Sequence, residues 1–268
     1  MPNHTEYTLA DLLICAASEA FANDGEILAT GIGVLPRIAA SLAMKTANPD
    51  LMMTDSEAYL LVEPNPLGNR SSNFVQQNES WMGFSRIFDN VWGGHRHAMI
   101  GPTQVDCYGQ ANISAIGDDY TSPKVQMLGV RGLPGNSISH ANSFFIPKHT
   151  KQVFVAGECD VVCSIGYNIK RLPKGYTMDE IDIRLVVTNL CVMDWHGPNH
   201  SLRVVSLHPG VTFEEVQENT SFTLAKVDSI PTTSPPTPEQ LECITKIDPH
   251  NLRAKQLKEN PVYKVGAA

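Results

Sequence analysis

What most constrains the fold is an alternation of strand-like and helix-like segments within the first hundred residues. In EILATGIGVLP a short apolar run ends in Gly31, Ile32 and Gly33, and Pro36 then opens a segment of helical composition, IAASLAMKTA. Strand, glycine loop and helix follow in that order. Upstream, Thr8 precedes Leu9, Leu12, Leu13, Ala16 and Ala20, a helical spacing with Asp11 three residues after a candidate N-cap. Downstream, LMMTDSEAYLLV begins β-like and is ended by the Pro, Gly and Asn residues of EPNPLGN. SWMGFSRIFDNVW then places Trp81, Phe84, Ile87, Phe88 and Val91 at helical spacing, and RHAMIG reads as the next strand. Such β/α alternation predicts an α/β protein with a mostly parallel, open sheet covered on both faces.

From about Pro102 the chain becomes rich in Gly, Asn and Ser, in GPTQVDCYGQANISAIGDDYTSP and again in GVRGLPGNSISHANS. Loops of that composition carry function when a rigid sheet holds their ends. Behind them KQVFVAG, DVVCSIG, IDIRLVVTNLCVMDW and SLRVVSLHP are expected to complete the sheet as strands. Thr212 with Glu215, and Thr237 with Gln240, form candidate capping boxes for two further helices. The low-complexity stretch SIPTTSPPTP separates them. We therefore expect one α/β domain over residues 1–228, then a linker and C-terminal helix over 229–268 that pack on the domain or on a partner. No repeat of solenoid length is visible.

A chain of 268 residues can bury a substantial core, as one large domain or two small ones. Its formal net charge of −8 argues against nucleic acid as the main partner, because phosphate binding needs a basic surface. The N-terminal MPNHTEYTLADLLICAASEAF mixes acidic and polar residues into its apolar pattern, so neither a signal peptide nor a membrane span is expected, and the chain reads as cytoplasmic. Six cysteines are scattered, and the one close pair, Cys159 and Cys163, has a spacing that matches no common zinc module. Reduced, mostly buried thiols are expected.

Three places carry candidate chemistry. The Gly31–Gly33 turn could present backbone N–H groups to a phosphate or a developing oxyanion, or be a tight turn that only glycine fits. The segment GVRGLPGN gathers Arg131, Gly132, Pro134, Gly135 and Asn136 ahead of a helix-compatible stretch. Arg131 could pair with a phosphate or carboxylate while the bare glycines let a flat thioester approach; a surface Ω-loop is the alternative. Asp55 and Glu57 end an apolar strand, where open α/β sheets place their ligand crevice. A carboxylate there could be a nucleophile or general base, and a charged strand end in water is the other reading. The histidines form no recognised metal spacing, so no metal is expected. Ser56, Ser137 and Ser139 lack the nucleophile elbow of the α/β-hydrolases.

Taken together, the chain from about Leu9 to Leu252 resembles the B subunit of family I CoA-transferases, in the glutaconate CoA-transferase branch. GPTQVDCYGQANIS, from Gly101, is similar to the family's G-A-x-Q-V-D-x-x-G-N-x-N pattern, and on that match Gln104 and Asp106 belong to the substrate or CoA site. GVRGLPGN stands where the family has the glycine-rich loop lining its thioester site, and VSLHPGVTFEEVQENT resembles its P-G-V-x-x-x-x-V-x-x-x-T ending. The resemblance implies a three-layer α/β/α fold of the NagB/RpiA/CoA-transferase type. It also implies an A-type partner subunit, in an αβ or α2β2 assembly, with coenzyme A entering as part of the substrate and no permanently bound cofactor.

The departure from the family lies at the catalytic glutamate, carried there in an E-S-G or S-E-N-G motif. Here the place reads TDSEAYLL, putting either Asp55 or Glu57 at the nucleophile position. An aspartate is one methylene shorter, enough to misplace an attacking oxygen by about an ångström. TDSEAYLL, RGLPGNSISHANS and MDWHGPNHSLRVVSLHPGV are most similar to an offshoot, the CoA-transferase-like ring-opening hydrolases of bacterial steroid degradation. That branch implies hydrolytic, retro-Claisen cleavage of a cyclic β-keto acyl-CoA, with the base supplied by the A subunit and the Gly129–Asn136 loop and Gly31–Gly33 turn holding the thioester and enolate oxygens. The alternatives are a true CoA-transferase and a non-catalytic scaffold subunit.

Overall fold

The computed structural model describes residues 6–55 and 57–264. It divides into two compact units, one holding the chain through Ile100 together with the chain from Ser234 onward, the other Gly101–Thr233.

The first unit is built around α1 (Leu9–Ser18), all of whose residues are buried. A helix apolar on every side belongs in a core, and each buried Leu or Ile there contributes about 1.5–3 kcal/mol. Its start is set by the expected capping box: Thr8 Oγ1 accepts from the Asp11 N–H, and the Asp11 carboxylate accepts from the Thr8 N–H at 2.9 Å. The second Asp11 oxygen takes the Arg253 guanidinium at 2.7 Å, and Arg253 also holds Asp248 at 3.1 Å. The C-terminal segment is thereby tied to the first helix. Around α1 pack α2 (Val34–Lys45) and α6 (Pro238–Ile247), the latter opened by the Thr237–Gln240 capping box.

Beside these helices the strand Leu28–Gly31 runs parallel to Arg96–Ile100, and Met52 bridges to Leu28. Tyr59–Leu61 and Asn78–Trp81 form an antiparallel hairpin that leads into α3 (Gly83–Trp92). The helical spacing of Phe84, Ile87, Phe88 and Val91 is real, but only its Val91 edge is buried. Phe84 and Phe88 face outward.

In the second unit α4 (Leu133–Ser139) precedes the buried strand Ala141–Ile146, which pairs in parallel with Ile183–Thr188. A hairpin returns as Cys191–Asp194, antiparallel both to Ile183–Thr188 and to Arg203–Leu207, and Ala225–Lys226 closes the edge in parallel. α5 (Phe213–Glu218) is capped by Thr212, which accepts from the Glu215 N–H at 3.2 Å. Setting aside the short two-stranded pairings, which are all antiparallel, three of the five remaining ladders among these strands are parallel, counting Leu28–Gly31 with Arg96–Ile100, as the alternation predicted.

Three expected strands are absent from the described residues. The apolar start of LMMTDSEAYLLV, ahead of Asp55, makes only isolated bridges, Met52 to Leu28 and Thr54 to Leu60. KQVFVAG contributes a single bridge, Phe154 to Val105, and DVVCSIG contributes none. Their backbones are instead taken up by the segment around Gln104–Asn112: Val155 donates to the Val105 carbonyl at 3.0 Å and Cys163 to that of Ala111 at 2.9 Å. The apolar residues that looked strand-like, Phe154 and Cys163 among them, are buried without a ladder.

All six cysteines are free and four are buried, as expected of reduced thiols; burial pushes the Cys191 thiol up to about 12. No described helix is long and apolar enough to cross a membrane.

Candidate active site

Within the first unit a cavity of about 720 Å3 is lined by Thr30, Arg37, Asp55, Glu57, Arg70 and Gln76, with Ala29, Thr54 and Tyr59. Asp55 begins a tight turn there. Its Oδ1 accepts the backbone N–H groups of Glu57 and Tyr59, each at 2.9 Å, and its own N–H reaches the Tyr59 carbonyl at 3.1 Å. Oδ2 accepts from Gln76 Nε2 at 2.6 Å. The turn forces Ala58 to φ 65°, a left-handed conformation that costs a non-glycine residue on the order of 1 kcal/mol or more. Ser56 lies outside the described residues.

Burial would raise the Asp55 pKa, but the hydrogen bonds from Gln76, Tyr59 and Glu57, and then the Arg37 charge, outweigh it and hold the carboxyl below the usual carboxylate range. Asp55 is thus a fixed anion with both oxygens engaged. Arg37 answers it from the first turn of α2, donating to the Thr54 carbonyl at 3.3 Å; burial first, then Arg70, lowers the guanidinium pKa. Glu57, by contrast, is exposed, and its backbone carbonyl takes the indole N–H of Trp81 at 3.2 Å. The site therefore offers one held carboxylate, one open carboxylate and two guanidinium groups.

The glycine turn sits at the end of the strand Leu28–Gly31. At Gly31 a Cβ would collide with the Pro36 carbonyl, so the close approach of helix to strand needs glycine there, while Gly33 caps α2 at φ 111°. The Ile32 N–H is spent on the Met99 carbonyl at 3.0 Å.

In the second unit Gln104 and Asp106 are buried and occupied. Gln104 Oε1 accepts from Asn112 Nδ2 at 2.7 Å and from the Asp160 N–H at 3.1 Å. Asp106 accepts from the N–H groups of Tyr108, Gln110 and Cys159 and from Gln110 Nε2 at 2.6 Å. These two residues organise the loop that follows them. Burial raises the Asp106 pKa, and the four donors work against that rise.

Arg131, Gly132, Pro134, Gly135 and Asn136 stay together at the entry to α4. Arg131 is exposed at φ 53°, and among the described residues no hydrogen bond or ion pair engages its guanidinium. Gly132 is the N-cap position, and the Asn136 N–H closes back on its carbonyl at 3.0 Å. An exposed, unpaired arginine at positive φ fits a ligand-facing loop and a surface Ω-loop alike. Among the described residues no group of three or more His, Cys, Asp or Glu side chains could hold a metal ion.

No family model matches the chain. Over 252 residues it is 41% identical to the cholesterol ring-cleaving hydrolase IpdB subunit of Mycobacterium tuberculosis (strain ATCC 25618 / H37Rv), covering 94% of this chain and 99% of that one. The chain belongs to the IpdB family. Its structure matches the crystal structure of Rhodococcus jostii RHA1 IpdAB with a TM-score of 0.86 and 38% identity, covering 94% of this chain and 99% of that one. Glutaconate coenzyme A-transferase from Acidaminococcus fermentans matches with a TM-score of 0.75 at 24% identity, over 91% and 96% of the two chains, a likeness of fold. The α/β CoA-transferase fold that the sequence implied is the fold of this IpdB-family chain.

Within that family fold, Arg37, Arg70, Tyr59 and Gln76 are cavity residues that sequence reasoning did not name. Arg37 had a signal, as the lone charge between Val34 and Met44 in an otherwise apolar helix. Gln76 had none, being one polar residue in a long polar loop.

Proposed function

We propose that the chain is the B-type subunit of a heteromeric, cytoplasmic acyl-CoA hydrolase that opens a ring of a cyclic β-keto acyl-CoA in steroid breakdown. The observation that carries this reading is the 41% identity, along nearly its whole length, to a cholesterol ring-cleaving hydrolase IpdB subunit. In the reaction, water adds to the ring ketone, the adjacent carbon–carbon bond breaks, and the carbanion leaves as the thioester enolate before protonation. That sequence needs a general base and an oxyanion site, and no covalent link between enzyme and CoA. Coenzyme A enters as part of the substrate, and no permanently bound cofactor takes part.

The cavity supports the hydrolytic reading. Asp55 accepts three hydrogen bonds and is held ionised, so it is a poor candidate to swing out and attack a thioester. We assign the general base to an A-type partner, in an αβ or α2β2 assembly, and the unpaired Arg131 on its glycine loop to the acyl-CoA. Gly31, Gly33, Gly132, Pro134, Gly135 and Asn136 would leave backbone room for the substrate, with Gln104 and Asp106 acting through the loop they organise.

One observation favours a second reading, a true CoA-transferase: Glu57 is exposed and lines the same cavity. Borohydride or hydroxylamine trapping during turnover separates the two. The hydrolase leaves no enzyme-bound thioester to trap, whereas a trapped adduct at Glu57 would establish the transferase.

A further inference from the structure

α3 carries an apolar arc wider than its own unit covers. Val91 is buried on one edge, while Phe84, Phe88 and Trp92, at positions i, i+4 and i+8 on the adjoining edge, are 63%, 58% and 67% exposed. Trp81, immediately before the helix, is 65% exposed and continues the stripe. Its ring lies over Gly83, which sits at φ 69° and where a Cβ would come within 3.3 Å of the indole.

At roughly 200 Å2 of coverable area per aromatic side chain, four such residues at about six-tenths exposure leave on the order of 500 Å2 of apolar surface in water. Isolated exposed apolar residues are ordinary, whereas an aligned set of this size stands in the upper part of the range that a single chain exposes, about 300–600 Å2, where such patches are often functional. It amounts to more than half of the ~800 Å2 that each partner contributes to a stable complex.

We propose that this face, Trp81, Phe84, Phe88 and Trp92, is where the A-type subunit docks; the inference rests on the two-subunit reading above. Three observations choose this occupant over a second copy of the chain. The face touches the cavity, since the Trp81 indole donates to the carbonyl of Glu57, whose side chain lines it. That cavity is mostly polar and charged, so the apolar walls that a ring-bearing acyl group needs must come from whatever docks beside it. A second copy would bring another polar cavity and a further −8 of formal charge, which opposes pairing of like chains.

The test is co-expression with an A-type subunit from the same genome, followed by light scattering on the purified complex and titration of the isolated subunits. The variants are Phe84→Ser with Phe88→Ser, and separately Trp92→Ser, with Arg86→Ala as a polar-face control. Because the replaced rings are exposed, the isolated double variant keeps the circular dichroism and melting temperature of the parent. We expect its affinity for the A-type subunit to fall at least tenfold and that of Arg86→Ala to stay within threefold. Unchanged affinity in the folded double variant would overturn the docking face while leaving the two-subunit reading intact. Loss of self-association alone, with A-subunit binding unaffected, would overturn it in favour of a second copy. Failure of the unsubstituted chain to bind an A-type subunit would overturn the two-subunit reading and this inference with it.

Discussion

Gln76 Nε2 donates to Asp55 Oδ2 across 2.6 Å, while Gln76 Oε1 accepts from the buried Asn65 side chain at 2.8 Å. The cavity carboxylate is thus anchored through a loop residue to the interior of its unit. Gln76→Leu removes a charge-assisted donor from a half-buried site, a loss of about 1 kcal/mol, or roughly 2–4 °C in melting temperature for a chain of this size. Asp55 has a lowered folded pKa, so its contribution is present above its unfolded pKa and lost as pH falls through the folded one. In Gln76→Leu the folded pKa of Asp55 moves up toward the unfolded one, so the loss sets in at the same pH but is smaller and complete at a higher pH; chemical-shift titration of the Asp55 carboxyl reads that rise directly.

Asp106 is fully buried and accepts four N–H donors, three of them on the backbones of Tyr108, Gln110 and Cys159. Asp106→Ala leaves those donors without a partner and should destabilise the chain by on the order of 3 kcal/mol, seen as a lower urea midpoint with an unchanged slope. A direct role in contacting substrate would instead appear as lost activity with an unchanged midpoint.

His149 and His208 are buried neutral. Burial pushes the His149 pKa down to about 3 and the His208 pKa to about 4, the latter against a hydrogen bond from its ring to the Thr188 carbonyl. Between those values and the unfolded 6.5, the unfolded chain binds protons that the folded chain does not. Stability therefore falls as pH drops below about 6.5, by on the order of 2 kcal/mol per histidine at pH 5. Melting curves between pH 7 and 4.5 should show this slope, and His208→Gln should flatten it.

Gly83→Ala places a side chain at φ 69° and against the Trp81 ring. A cost of about 1–2 kcal/mol is expected, with a red shift in Trp81 fluorescence as the indole is released further into water. An unchanged emission maximum would mean that the ring does not depend on Gly83.

The elements legible in the sequence were those set by neighbours along the chain. The Thr8–Asp11 and Thr237–Gln240 capping boxes, the glycine turn at Gly31 and the helix over Gly83–Trp92 depend on residues within one or two turns. What was not legible depends on distant contacts. Asp106 reaches Cys159 across 53 positions, and that bond is part of why the apolar stretches near Phe154 and Cys163 build no strands. Helical period placed Phe84, Phe88 and Val91 on α3, but which edge of the arc is covered depends on packing that periodicity does not encode. At the candidate site the sequence left Asp55 and Glu57 open. The geometry separates them into a held anion and an exposed one, through Gln76 at 21 positions' remove.

The most direct measurement is mass spectrometry of a cyclic β-keto steroid-derived acyl-CoA incubated with the co-purified two-subunit enzyme, with and without a carboxylate acceptor. Addition of one water to the intact acyl-CoA in the absence of acceptor is the predicted result. Turnover that requires the acceptor, with CoA carried onto it, would contradict the hydrolytic account and make Glu57 the nucleophile.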